Sequence, residues 1–286
     1  MASSREPLMF PTLAVEDPQF KDVETIFHLT QATNTDWEQF RVSFEIPDDC
    51  KSTFDMLDTS VSQSDGKHVI ALRLRLCMII GVVHSTPPDP LSSHLARIPI
   101  SPKCRFSFEP AIYKGKKHCL RGFPDWSLWY SPFEMKTDVA VNFVIVEAET
   151  KQVAHSTAQT LAYMGMIHAQ RRYEGKADCT VFGLSTDNEQ FHFIRINSNG
   201  EWCQLNRNYS DHFQEIVETL AYIHKCASAL SVSDHGHTSE NARVEDGPAT
   251  TKGSGKGSSS DKTWSVFHVE DNLHAFKASD DSDDNS

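Results

Sequence analysis

The spacing of apolar and polar positions changes several times along the chain. Residues 20–44, Phe-Lys-Asp-Val-Glu-Thr-Ile-Phe through Trp-Glu-Gln-Phe-Arg-Val-Ser-Phe, read as one or two short amphipathic helices ended by Pro47. The stretch before them, 1–19, is punctuated by proline and reads as irregular. Ser62 to Gly66 reads as a loop. His68–Val83 fits two descriptions: Leu72-Arg-Leu-Arg-Leu76 alternates as a strand does, while the whole run suits a buried helix. Pro87, Pro88 and Pro90 close that unit. Residues 104–150 then read as a meander. Cys104–Glu109 alternates, a basic turn occupies 113–118, Trp126–Tyr130 is an aromatic strand, and Asp138–Glu147 is a β-branched and aromatic run suited to a central strand. His155–Arg172 has helical composition, with Leu161, Met164, Ile167 and His168 on one face. Three further strands follow, Thr180–Leu184, Gln190–Ile196 and Glu201–Leu205. The last two are joined by an Asn-Gly turn at 197–200, where both Asn and Gly tolerate positive φ. Ser210 to Leu230 reads as a helix capped by Ser210 or Asp211.

Beyond Leu230 the pattern stops. Residues 231–262 are rich in Ser, Gly, Thr, Asp and His and hold almost no apolar anchors, too few to offset the entropy of ordering. The segment 231–286 carries eleven acidic against five basic residues, half of the net charge of -12. One apolar island interrupts it, from Trp264 to Phe276. It docks on the core as a strand or serves as a short motif for a protein partner through 263–276. The expected organisation is an irregular N-terminus (1–19), one domain (20–230) and a disordered acidic C-terminal tail (231–286).

Composition narrows the function. With 286 residues and 39% apolar content, the chain can bury one substantial core. Its acidity rules out coating nucleic acid by bulk charge, so any such contact needs a local patch. The seven cysteines are scattered, odd in number and lack a C-x-x-C pair, which argues against a disulfide framework or structural zinc. The N-terminus lacks a signal-peptide core, and the longest apolar run is interrupted by Arg73 and Arg75, so no membrane span is expected. The chain reads as soluble and intracellular, in the nucleus or cytoplasm. Lys252-Gly-Ser-Gly-Lys-Gly resembles a phosphate loop but fails its spacing and lies in low-complexity sequence.

The chemistry concentrates in acidic residues near strand ends. Asp125 stands in Phe-Pro-Asp-Trp-Ser-Leu-Trp-Tyr (123–130), and Glu147 and Glu149 end Val-Asn-Phe-Val-Ile-Val-Glu-Ala-Glu (141–149). Taken singly, Asp125 suits a turn after Pro124, and the two glutamates suit a solvent-facing strand end. Together, carboxylates on neighbouring strands with a helix behind them are one way to hold a divalent ion against a phosphate. The order Asp, Glu-x-x, then a helix bearing Gln159 resembles the PD-(D/E)XK nuclease superfamily, and most of all its fungal nuclease-like branch. The resemblance covers roughly residues 105–230 and is carried more by the overall pattern than by the short motif.

That resemblance implies an α/β fold with a restriction-endonuclease-like mixed central sheet flanked by helices. It implies a Mg²⁺- or Mn²⁺-dependent phosphodiesterase acting on DNA or RNA. Asp125 and Glu147 would be metal ligands, Glu149 a possible third, with the Ala148 carbonyl beside them and Gln159 in support. The chain departs from the motif at Glu149, where lysine belongs. Lys151 lies roughly 6–7 Å further along an extended strand and is the candidate displaced lysine. An N-terminal helix in the family often brings another acid to the metal, for which Glu24 and Glu38 are candidates. Lys116 and Lys117 in the basic turn, and Arg171 and Arg172 at the helix end, are candidate phosphate contacts; both groups equally suit solvated ends. A second reading keeps the fold but not the catalysis, leaving a binding or regulatory module.

Overall fold

The structure is a computed structural model that describes residues 10–33, 37–63, 69–85, 100–102, 104–129, 141–147, 153–237 and 266–270. In chain order the elements are β1 (Thr12–Ala14), α1 (Phe20–Phe27), β2 (Thr30–Gln31), a 3-10 turn (Trp37–Phe40), α2 (Asp48–Gln63), α3 (Val69–Ser85), β3 (Ile100–Pro102), β4 (Arg105–Tyr113), β5 (Lys116–Gly122), β6 (Trp126–Trp129), β7 (Val141–Glu147), α4 (Val153–Tyr173), β8 (Val181–Thr186), β9 (Gln190–Ile196), β10 (Glu201–Asn208), α5 (Tyr209–His237) and β11 (Val266–Glu270). The fold is α/β, with two mixed sheets flanked by helices. A small sheet has the order β1-β5-β4-β11 and a large one the order β2-β10-β9-β8-β7-β6-β3. Within the large sheet β7 and β8 run parallel, joined by α4 as the crossover, and β8, β9 and β10 form an antiparallel meander.

The expected single meander over 104–150 is divided between the sheets. β4 and β5 pair with each other in the small sheet, and residues 123–125 carry the chain across to β6 in the large one. α4 accounts for this division. It packs on β7, β8 and β9 of the large sheet and on β4 and β11 of the small one. Its residues are therefore buried on nearly every side rather than along one stripe, including Ala158, Leu161, Ala162, Tyr163, Met164 and Met166. A helix enclosed this way has no polar face to reveal its orientation from sequence. Two glycines allow the close approach. A Cβ on Gly183 of β8 would stand 2.4 Å from Met164 Sδ, and one on Gly165 of α4 would stand 2.5 Å from the Phe27 ring of α1.

The opposite face of the large sheet is covered by α5, with α3 against it and α2 outside. Phe182 of β8 meets Tyr222 of α5 edge-on at 6.2 Å. The ambiguous run 68–83 is thus a helix, α3, with Leu76 and Ile79 fully buried. α2 is an element the sequence reading passed over. Pro47 precedes it instead of ending a helix, and its carbonyl accepts the Cys50 and Lys51 amides. Asp48 and Asp49 occupy the first turn, where the helix dipole favours negative charge.

Details at the turns also differ from expectation. In the 197–200 loop Gly200 alone takes positive φ (83°), while Asn197 Oδ1 accepts the Asn199 and Glu201 amides. Asn208 Oδ1 accepts both the amide and the hydroxyl of Ser210, and the backbone kinks at His212, so α5 is a short first turn followed by the long helix. α5 runs on to His237, past the expected start of the tail, and β11 shows the apolar island docked as a strand. The remaining tail lies outside the described residues.

Candidate functional site

Asp125 and Glu147 come to one end of the large sheet because β6 and β7 are antiparallel neighbours. Trp126 pairs with Ile145, so Asp125, one residue before β6, falls opposite Val146 and one position out of step with Glu147. Glu147 closes β7 and pairs with Thr186 at the end of β8. The C-terminal ends of two parallel strands and the start of their crossover helix therefore share this corner, a placement where α/β sheets commonly bind ligands. Ser156 in the second turn of α4 is tied to Ser185 of β8 by a 2.6 Å hydroxyl contact, which fixes the helix start against the sheet.

Asp125 is half-buried and has Tyr163 of α4 as a neighbour. Gln159 sits one turn before that tyrosine and its Nε2 donates to Tyr163 Oη at 3.5 Å. Burial, followed by the negative charges of Asp125 and Glu16, pushes the Tyr163 phenol well above its ordinary range, against the opposing hydrogen bonds from Gln159 and the Phe123 backbone. Tyr163 Oη also packs so close to Gly122 that a Cβ there would lie 2.3 Å away. Gly122 thus makes room for the hydroxyl that Gln159 contacts and whose ionisation the charge of Asp125 opposes. Neither Tyr163 nor Glu16 was singled out from sequence. Tyr163 looked like one more apolar helix position, and Glu16 lies in a stretch with no periodicity.

The N-terminal acids expected at this corner lie on other elements; Glu16, just after β1, is exposed and acts on Tyr163 only as a weak negative charge. Glu24 of α1 accepts a 2.9 Å hydrogen bond from Trp202 Nε1 on β10. The turn that holds Glu38 packs against α5, across the large sheet from α4. The basic candidates are remote as well. Lys116 and Lys117 begin β5, whereas Asp125 follows its other end, about 20 Å away at the rise of an extended strand. Lys117 Nζ lies over the Phe10 ring at 5.9 Å. Arg171 is 1% exposed and donates to the Thr180 carbonyl, so it is not offered to a phosphate. Residues 174–180 turn back beneath the end of α4 and enclose it. Arg172 is exposed, but about 20 Å of helix separates it from Gln159. Glu149 and Lys151 lie outside the described residues.

Among the described residues no group of three or more His, Cys, Asp or Glu side chains is placed to hold a metal ion. The oxygen-only character of Asp125 and Glu147 suits a hard cation such as Mg²⁺ or Mn²⁺ over zinc. Comparison of the chain with protein-family models and with curated proteins finds no match. Among the described residues no helix is long and apolar enough to cross a membrane.

A concavity lies beside α2, α3 and α5. Arg75, 3% exposed, donates to Asp58 Oδ1 (3.1 Å), to Glu189 Oε1 (2.8 Å) and to the Asn188 carbonyl, and its guanidinium lies 3.7 Å over the Tyr209 ring. Tyr209 Oη donates to Asp58 Oδ2 at 3.2 Å. These groups line an open cleft of about 600 Å³. The guanidinium is taken up in joining α2, α3, the 187–189 turn and α5, so the arginine that seemed only to interrupt an apolar run is a structural cation.

Proposed function

We propose that this chain is a PD-(D/E)XK nuclease-like domain whose acidic corner binds a divalent metal and a nucleic-acid phosphodiester. The observation that carries the reading is the sheet end shared by Asp125 and Glu147, where α4 begins its crossover from β7 to β8. In this reading Asp125 and Glu147 hold Mg²⁺ or Mn²⁺, with Glu149 as a further ligand. The ion, when bound, polarises the phosphate and lowers the pKa of a water. Gln159, oriented by Tyr163, supports the corner, and Lys151 takes the place of the motif lysine. DNA or RNA is the substrate class.

One residue favours a second reading. Glu149 stands where the motif has lysine, a change of two charge units that works against stabilising the transition state of phosphoryl transfer. In that reading the corner retains metal or phosphate binding while turnover has lapsed, leaving a binding or regulatory module. A cleavage assay separates the two. Single- and double-stranded DNA and RNA are incubated with Mg²⁺ or Mn²⁺ and wild type, Lys151→Ala or Glu149→Lys. Cleavage by wild type that Lys151→Ala lacks establishes an active enzyme with a displaced lysine. Cleavage by Glu149→Lys alone establishes the lapsed form. Silence of all three proteins refutes the nuclease reading.

A further inference from the structure

The outer edge of the small sheet is completed by a strand from far along the chain. β11 begins 29 positions after the end of α5 and pairs antiparallel with β4, Phe267 opposite Phe108. The Phe267 side chain is 1% exposed and meets Phe106 edge-on at 5.2 Å. Phe106 in turn meets Tyr163 edge-on at 5.6 Å. β11 is held on its other side by α4, where the Phe267 amide donates to Gln170 Oε1 at 3.2 Å. Three aromatic rings thus connect the tail strand to the hydroxyl beside Asp125 and Gln159.

We propose that the edge of β4 is a strand-acceptor site filled in cis by residues 266–270, and that Phe267 is a positioning residue for the Asp125–Gln159 corner, acting through Phe106 and Tyr163. The functional consequence rests on the reading of that corner given above. Close-packed edge-to-face rings transmit a change of shape because no neighbour has space to absorb it. Removing the Phe267 ring leaves a void beside Phe106, which can then turn away from Tyr163. Ordering five residues is offset by the buried Phe267 ring and a short ladder, and the connection to α5 supplies the strand at high effective concentration. The acceptor site selects an extended segment with an aromatic residue facing Phe106.

The test uses the full chain and backbone amide exchange, read by mass spectrometry. Phe267→Ala is expected to speed exchange about tenfold in segments 120–126 and 156–165, and to leave β9 and β10 unchanged. Phe267→Leu, which refills most of the void, is expected to retain protection. A synthetic peptide spanning 262–274 is expected to restore protection to the Ala variant. The proposal is overturned if faster exchange is confined to β4, if it is uniform across the chain, if it is absent, or if the bound peptide restores nothing. Mn²⁺ affinity is measured in parallel on wild type. The exchange is measured without added metal, so failure of wild type to bind Mn²⁺ would count against the metal-site reading and leave the exchange result to judge the positioning role.

Discussion

Acidification from pH 7 to pH 5 should destabilise the fold through two buried histidines. His168 of α4 is 1% exposed, and burial followed by the charge of Arg172 pushes its pKa down to about 4. His224 of α5 is held 3.1 Å from His84 of α3, and burial followed by the charge of His84 brings it to about 4 as well. Both have an ordinary value of 6.5. Between the two values the unfolded chain binds more protons than the folded one, so stability rises with pH. The contribution is complete above 6.5 and is lost as pH falls toward 4. At pH 5 each histidine should cost roughly 2 kcal/mol on that shift, and some residual hydration brings the pair to about 2–4 kcal/mol together. Asp178 and Glu215, whose pKa values are lowered, lose their contribution only below their ordinary 3.8 and 4.5, so they do not cloud this window. His192, also lowered by burial, adds in the same direction. Urea unfolding followed by circular dichroism at pH 7, 6 and 5 measures the effect. A midpoint that stays flat across the window would refute the reasoning. So would a His168→Gln/His224→Gln protein that falls as steeply as wild type.

Three further outcomes follow from the packing. Arg75→Ala removes the cation shared by Asp58 and Glu189, whose half-exposed carboxylates can rehydrate, and should lower unfolding stability by about 2–3 kcal/mol in denaturant titration. Gly165→Ala places a methyl inside the Phe27 ring contact and should cost about 1–3 kcal/mol, seen as a lower thermal midpoint. Lys116→Ala/Lys117→Ala alters a hairpin end remote from Asp125, so nucleic-acid affinity at the corner, measured by fluorescence anisotropy, should change less than about twofold.

β2 falls in a run that reads as helical and β3 in no predicted element, whereas the middle of the large sheet, β6 to β10, was the most legible part of the sequence. Its strands carry β-branched and aromatic runs, and the β9–β10 turn announces itself through Gly200. The partition into two sheets was not legible, because β4 and β6 have similar strand character and only the position of α4 assigns them to different layers. α2 escaped notice because Pro47 was read as a terminator, although Asp48 and Asp49 behind it form an acidic first turn. At the site, the order of acidic residues was legible since Asp125 and Glu147 flank neighbouring strands. The place of Tyr163 was not, because it depends on contacts with segments far away in sequence. Arg171 misled for the opposite reason: position at a helix end predicts exposure, and the returning 174–180 segment removes it.

The most direct test of the acidic corner is divalent-metal binding. Calorimetric titration of Mn²⁺ and Mg²⁺ into wild type and into Asp125→Ala/Glu147→Ala reads the site whether or not the protein turns over substrate. The account predicts one site in wild type, weakened at least about tenfold in the double variant with its fold intact. Equal affinity in the two proteins, or no binding in wild type, would contradict it.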